Sequence, residues 1–231
     1  MNIHIDKEVF RKFNAKFTIA FIIAQHINSH KYQDAVHLLQ ETERLVRLEF
    51  NKDSIKNHNL IAPWAVAQQE FGAQAIHYQT SLEHLLQKVL QGKSIAGNNV
   101  ITTLAHYLSL KYLVPIGVDD LHKIRGNITF AIATGKEKVG LLRRIKPGAL
   151  CYHDEKRVLG TKLDFWKNSK TKVDTKSKSV LIHIEALPPV SKKKLQEITR
   201  EAASLLRTFC GAEVKVVVLD KKKDKATIIT K

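Results

Sequence analysis

A chain of 231 residues with 44% hydrophobic and 26% charged side chains can bury a substantial core, which excludes a disordered polypeptide. Two cysteines, Cys151 and Cys210, with no Cys-x-x-Cys spacing, exclude a disulfide framework and a thiolate zinc site; the longest apolar run, Phe17–Ala24, falls far short of the about 20 residues a bilayer span needs. The net charge of +16 is lopsided: residues 1–135 hold 14 Lys+Arg against 11 Asp+Glu, and residues 136–231 hold 24 against 11.

Two short strands open the chain, Ile3–Ile5 and Phe17–Ile23, read as lying around a turn; the second is apolar on both faces, as in a central strand. From Lys31 to Phe50 the period turns helical, carried by Ala35, Leu38, Leu39, Leu45, Val46 and Leu48. A second helix is predicted over Ala65–Phe71, with Pro63 at its start and Gly72 at its stop. Ser81 reads as the N-cap of a third, which packs Leu82, Leu85, Leu86 and Leu90 and stops at Gly92. A fourth runs from Asn99 to Tyr112 and is stopped by Pro115. Beyond it the pattern is β: Asn127–Ala133, Val139–Ile145, Leu150–His153, Val180–Glu185, Glu213–Leu219 and Ala226–Ile229. One helix interrupts them, from Ser191 to Gly211. The run Lys221–Lys223 reads as a solvated hairpin between the last two strands.

No flexible linker separates the parts. The expectation is one α+β domain over residues 1–231, helical over about 30–112 and mixed or antiparallel β over about 115–231 with one packed helix. The first residues lack the basic and apolar regions of a signal peptide, so a cytoplasmic, membrane-free protein is expected. The localised positive charge points to a polyanion; charge alone leaves RNA, DNA, an anionic membrane and an acidic protein open.

Nucleotide-binding, hydrolase and zincin motifs are absent, and the scattered histidines (His26, His30, His37 and His58 among them) have no metal-ligand spacing, so neither cofactor nor metal is expected. Three segments remain. In Val114-Pro115-Ile116-Gly117-Val118-Asp119-Asp120, Pro then Gly reads as a sharp turn where another group can approach Gly117. Asp120 is positioned to orient a polar ligand, but the favoured reading is that one of the two aspartates, Asp119 or Asp120, caps a helical turn at Leu121–Arg125. In Phe165-Trp166-Lys167-Asn168-Ser169-Lys170-Thr171-Lys172, cations for phosphate stand beside amide and hydroxyl groups for bases and riboses, though Trp166 itself suits a core. In Val180–Glu185, alternation puts His183 and Glu185 on one strand face. They either hold a substrate amine or a water, or lie solvated on an edge strand; the residues favour neither.

These three segments, in this order, resemble the B3/B4 module of the beta subunit of phenylalanyl-tRNA synthetase, and more closely the free-standing proteins built from that module alone. The likeness rests on Leu108-Ser-Leu-Lys-Tyr-Leu-Val-Pro-Ile-Gly-Val-Asp-Asp-Leu-His-Lys-Ile124, on Trp166–Lys172 with Thr175 and the following strand, and on Ser81–Leu86 with Gly92-Lys93. The colinear set covers nearly the whole chain. In the synthetase the module hydrolyses tyrosine wrongly esterified to tRNA.

The resemblance implies a tRNA-binding protein that deacylates misacylated tRNA in trans and does not itself aminoacylate, or else a tRNA-binding module without chemistry. It implies catalytic positions at Glu185, His183, Asn168 and Thr171. Pro115, Gly117, Asp120, Ser169 and Trp166 would hold the aminoacylated 3′ end, and Lys167, Lys170 and Lys172 the RNA. The sequence departs from the synthetase pattern at Gly117, where the synthetase has histidine. It departs from the free-standing group at Thr103 and His106, which stand where Asp-x-x-Asn is common. Tyrosine selectivity therefore does not carry over.

Overall fold

The computed structural model describes residues 1–28, 31–51, 53–69, 80–139, 143–145, 147–161 and 166–228. In chain order the elements are β1 (Asn2–Ile5), α1 (Lys7–Lys12), β2 (Thr18–Gln25), α2 (Tyr32–Glu49), α3 (Ala62–Gln69), α4 (Ser81–Leu90), α5 (Val100–Tyr112), β3 (Ile116–Asp120), β4 (Ile128–Ile132), β5 (Lys138–Val139), β6 (Arg143–Arg144), β7 (Leu150–His153), β8 (Val158–Thr161), β9 (Trp166–Lys167), β10 (Val180–Ala186), α6 (Lys192–Cys210), β11 (Glu213–Leu219) and β12 (Lys225–Thr227). The architecture is α+β, as expected.

The strands form a six-stranded sheet in the order β12-β1-β4-β7-β8-β9, a four-stranded sheet in the order β11-β2-β10-β3 and a small β5-β6 ribbon. Only the β1–β4 pairing is parallel among the described pairs.

The apolar run at Phe17–Ala24 makes β2 the hinge of two cores. Successive side chains leave a strand on opposite faces. Ala20, Ile22 and Ala24 of β2, with Val180, Ile182 and Ile184 of β10, meet α2, α4, α5 and α6 in one core. Ile19, Phe21 and Ile23, with Leu181, pack against Ile3, Ile5, Phe130 and Tyr152 of the larger sheet in the other. The result is three layers: helices, four-stranded sheet, six-stranded sheet.

Local chemistry sets the helix ends that matter. Thr80, not Ser81, caps α4: its hydroxyl takes the Glu83 N–H at 3.2 Å and Glu83 returns to the Thr80 N–H at 2.8 Å. Asn99 caps α5 by accepting the Thr102 N–H at 2.9 Å. At the other end Leu113 turns left-handed, Ser109 donates its hydroxyl to the Val114 carbonyl at 2.6 Å, and Pro115 starts the run into β3. Ser191 caps α6, and Gly211 at φ +58° closes it by donating to the Arg207 carbonyl at 2.9 Å.

Several expectations change. The Pro115–Asp120 segment is not a turn but an edge strand, because its backbone pairs with β10 from Ile116 to Asp120. The two ends of the chain interleave: the N-terminal strand β2 lies between β11 and β10, strands from the chain's last third. A helix, α1, occupies the connection read as a turn between the first two strands. Leu45 and Leu48 face outward on α2, which buries Ala35, Leu39 and Val46 instead. Lys221–Lys223 is an exposed turn, but it joins strands of different sheets rather than a hairpin. Phe71, Gly72, Phe165, Ile229 and the 140–142 stretch of the Val139–Ile145 strand lie outside the described residues. No described helix is long and apolar enough to cross a membrane.

Candidate functional site

Where β3 forms the free edge of the four-stranded sheet, one face of α4, the N-terminal half of α5 and the 167–173 loop enclose a cavity of about 480 Å³. Ser81, His84 and Lys88 line it from α4, spaced three and four residues apart so that they share one helix face. Thr102 and His106 do the same from α5. Gly117 contributes bare backbone from β3, and Lys167, Asn168, Ser169 and Lys172 come from the loop. Leu85, Ile116 and Val173 supply apolar wall. Every charged side chain of the described lining is a cation; no carboxylate faces the space.

The two imidazoles are tuned by this setting. Burial, reinforced by the Lys88 ammonium, holds His84 below its ordinary value. Burial also pulls His106 down, and Lys88 adds to it, outweighing the hydrogen bond to the Ile95 carbonyl. The Ser81 hydroxyl oxygen is buried and makes no hydrogen bond among the described residues.

Beneath the cavity lies a polar chain. Asp119, fully buried, accepts the Lys167 ammonium at 2.7 Å and the Tyr152 hydroxyl at 2.9 Å. Lys167 also bonds the Tyr152 hydroxyl directly and sits over its ring, 4.9 Å from the centroid. Tyr152 stacks on Phe130 at 4.8 Å and meets His183 edge-on at 4.7 Å. His183 in turn holds Glu185, Nδ1 to Oε1 at 2.7 Å.

These elements lie within the stretch that matches a known family: the model of the B3/4 domain matches residues 66–211. The chain belongs to the B3/4 domain family. The resemblance read from the sequence is thereby borne out. Among solved structures this B3/4 domain is similar to an N-terminal fragment of the phenylalanyl-tRNA synthetase beta-subunit from Pyrococcus horikoshii, at 12% identity and a TM-score of 0.48. The match covers 95% of this chain and 54% of the fragment, so the chain spans about half the length of that protein. A comparison with curated proteins finds no match.

Of the residues singled out from sequence, the B3/4 domain brings Gly117, Lys167, Asn168, Ser169 and Lys172 together around the cavity. Asp120 is a clamp: it caps the turn at Leu121–Lys123 through the His122 N–H at 3.0 Å, accepts the Ser177 hydroxyl at 2.6 Å and pairs with Lys123 at 3.2 Å. Pro115 is buried, its carbonyl taking the Glu185 N–H at 3.3 Å. Trp166 is half-buried against Ala133, Ile145, Cys151 and Val158. The Asn168 side chain is spent on the loop, giving its amide N–H to the Val158 carbonyl at 2.8 Å and accepting the Lys170 N–H at 2.9 Å. Thr171 is fully buried, and Lys170 is exposed.

His183 and Glu185 do share a face, but β10 is an interior strand, so the solvated edge is excluded. The pair is 0% and 1% exposed and is not among the residues lining the cavity. His183 stands opposite Gly117 in the β10–β3 register. The residues missed were Ser81 as lining, His84, Lys88, Thr102, His106, Asp119 and Tyr152. The helix-face spacing of Ser81, His84 and Lys88, and of Thr102 and His106, was the signal for five of them.

Proposed function

We propose that this B3/4 domain binds the aminoacylated 3′ end of a tRNA and hydrolyses the ester of a wrongly attached amino acid. The observation that carries the reading is the cavity: about 480 Å³, lined by Lys88, Lys172 and the Asp119-paired Lys167, with no carboxylate among its described lining, in a chain of net charge +16. A lining of that kind suits the end of a polyanion and favours negative charge developing on a carbonyl oxygen.

Roles follow from position. Lys170 and Lys172, exposed on the loop, take backbone phosphates. Ser81 and Ser169 donate hydroxyls to the terminal ribose or the ester carbonyl. Asn168 and Thr171 shape the loop that presents Ser169. Asp119 and Tyr152 fix the Lys167 ammonium, and the His183–Glu185 pair braces Tyr152 from behind. An aminoacyl ester is already activated, so holding its carbonyl and one water in line supplies much of the rate. The size of the cavity and its hydroxyls discriminate the amino acid.

The test is deacylation of a panel of correctly and wrongly charged tRNAs by catalytic amounts of the protein, with tRNA, DNA and heparin binding measured in parallel. Release of one amino acid from a wrong tRNA is expected. Binding of tRNA without release would reduce the protein to a non-catalytic tRNA module. Equal affinity for DNA and heparin would sink the tRNA reading altogether.

A further inference from the structure

His106 is the imidazole of the cavity whose tautomer the geometry dictates. Its Nδ1 lies 2.6 Å from the Ile95 carbonyl oxygen. A carbonyl oxygen can only accept, so Nδ1 carries the proton and Nε2 holds the lone pair in the neutral ring. Ile95 is itself pinned, its N–H, on the other side of its Cα from that carbonyl, bonding the Glu43 carboxylate on α2 at 2.9 Å. The ring is therefore fixed from behind. It makes no second hydrogen bond among the described residues, and it lines the cavity, which makes Nε2 the atom left for the contents.

The surroundings keep that ring neutral. Facing the same space are His84 and Lys88 from α4 and Lys167 and Lys172 from the loop. Lys167 is already neutralised by Asp119. Among the described residues, Glu43 bonds the Ile95 N–H rather than the ring and lies 3.9 Å from Arg47. Burial and the Lys88 charge both disfavour the imidazolium. A neutral imidazole with an anchored Nδ1–H and a bare Nε2 is the arrangement general-base catalysis requires.

We infer that His106 is the proton acceptor for the water that attacks the ester in this cavity. The inference rests on the deacylase reading of the same site. Nε2 takes one proton from the water as its oxygen bonds to the ester carbonyl carbon. The carbon–oxygen bond to the ribose then breaks, and the imidazolium returns the proton to the leaving ribose oxygen. The products are the free amino acid and a tRNA with an intact terminal hydroxyl, and the ring is regenerated.

The test uses His106→Asn, whose side-chain amide keeps a donor for Ile95 while removing the basic nitrogen. The expected result is a fall in kcat on the order of 10²–10⁴-fold, with KM nearly unchanged and the melting temperature held. The acid limb of the wild-type kcat/KM profile should lie below the ordinary histidine value of about 6.5. Lys88→Met should move that limb to higher pH, a response that a structural role for His106 would not produce. Turnover by His106→Asn at the wild-type rate, or an acid limb unmoved by Lys88→Met, overturns this inference and leaves the deacylase reading standing. No turnover of any charged tRNA by the wild-type protein overturns both.

Discussion

Replacing Glu185 with alanine takes a carboxylate partner from the buried His183 imidazole, and the structure sets the cost. Glu185 is 1% exposed and His183 0%, with 2.7 Å between Oε1 and Nδ1. Removing one member of a buried hydrogen bond to a carboxylate costs about 1.5–3 kcal/mol, because the buried imidazole keeps its desolvation penalty and loses that bond. At an unfolding entropy of about 2.1 cal/mol/K per residue, a chain of 231 residues loses about 2 °C of Tm per kcal/mol. Glu185→Ala should therefore lower Tm by about 3–6 °C at pH 7. The cavity lining is untouched, so tRNA affinity is expected to stay at the wild-type level.

The double variant His183→Phe with Glu185→Leu sharpens the argument. The His183 ring lies 4.7 Å from Tyr152, 5.3 Å from Phe130 and 6.4 Å from Phe21, an apolar wall that a phenyl ring can use. The double variant should be more stable than Glu185→Ala despite carrying two changes. Thermal and urea unfolding of the set decide it. A Tm for Glu185→Ala within about 2 °C of wild type, or a double variant whose loss equals the sum of the two single losses, refutes the reasoning.

Three further outcomes are expected. Lys170→Ala with Lys172→Ala should reduce the slope of log affinity for tRNA against log salt by about 2, one per lost phosphate contact, in filter binding over a salt series; an unchanged slope removes the loop from the RNA interface. Glu201 joins α5 to α6 by accepting from Lys111 at 2.7 Å, Tyr107 at 3.2 Å and Tyr112. Burial pushes its carboxyl up, but these donors outweigh it and hold the group below its ordinary value. The depressed value means that the stabilisation is present above the unfolded value of about 4.5 and is lost as pH falls through the folded one. Glu201→Gln should thus cost about 1–2 kcal/mol at pH 7, with the gap to wild type closing in acid, as read from Tm against pH. Thr80→Ala should cost about 1–2 kcal/mol, since it uncaps α4 and removes a hydroxyl donor from the buried Glu83 carboxylate. Because α4 carries Ser81, His84 and Lys88, substrate affinity should fall with it, measurable by calorimetry and tRNA titration.

Much of this protein was legible in the chain. The apolar run at Phe17–Ala24 called for a strand buried on both faces, and β2 is that strand. The caps at Asn99 and Ser191 and the stop at Gly211 fixed helices almost to the residue, because capping is chemistry between near neighbours. A cap from one of the two aspartates before Leu121 was expected, and the structure shows that it is Asp120. The Thr80 cap was missed in favour of Ser81, since both residues offer a hydroxyl and only backbone geometry separates them. The Pro115–Gly117 run was read as a turn because Pro and Gly break local order; pairing with β10 overrode that preference.

The site divides along the same line. The cationic loop 167–172 and the Gly117 approach were legible in the sequence, since each is a pattern within one element, whereas the polar stripes on α4 and α5 went unread. Only the tertiary structure decided that the two stripes face each other across an edge strand, and that His183 and Glu185 lie between the sheets rather than at a surface. The reason is physical: hydrogen bonds and side-chain periodicity act over a few residues, whereas enclosure of a cavity and burial of a charge depend on which surfaces distant segments leave exposed once the two cores have packed.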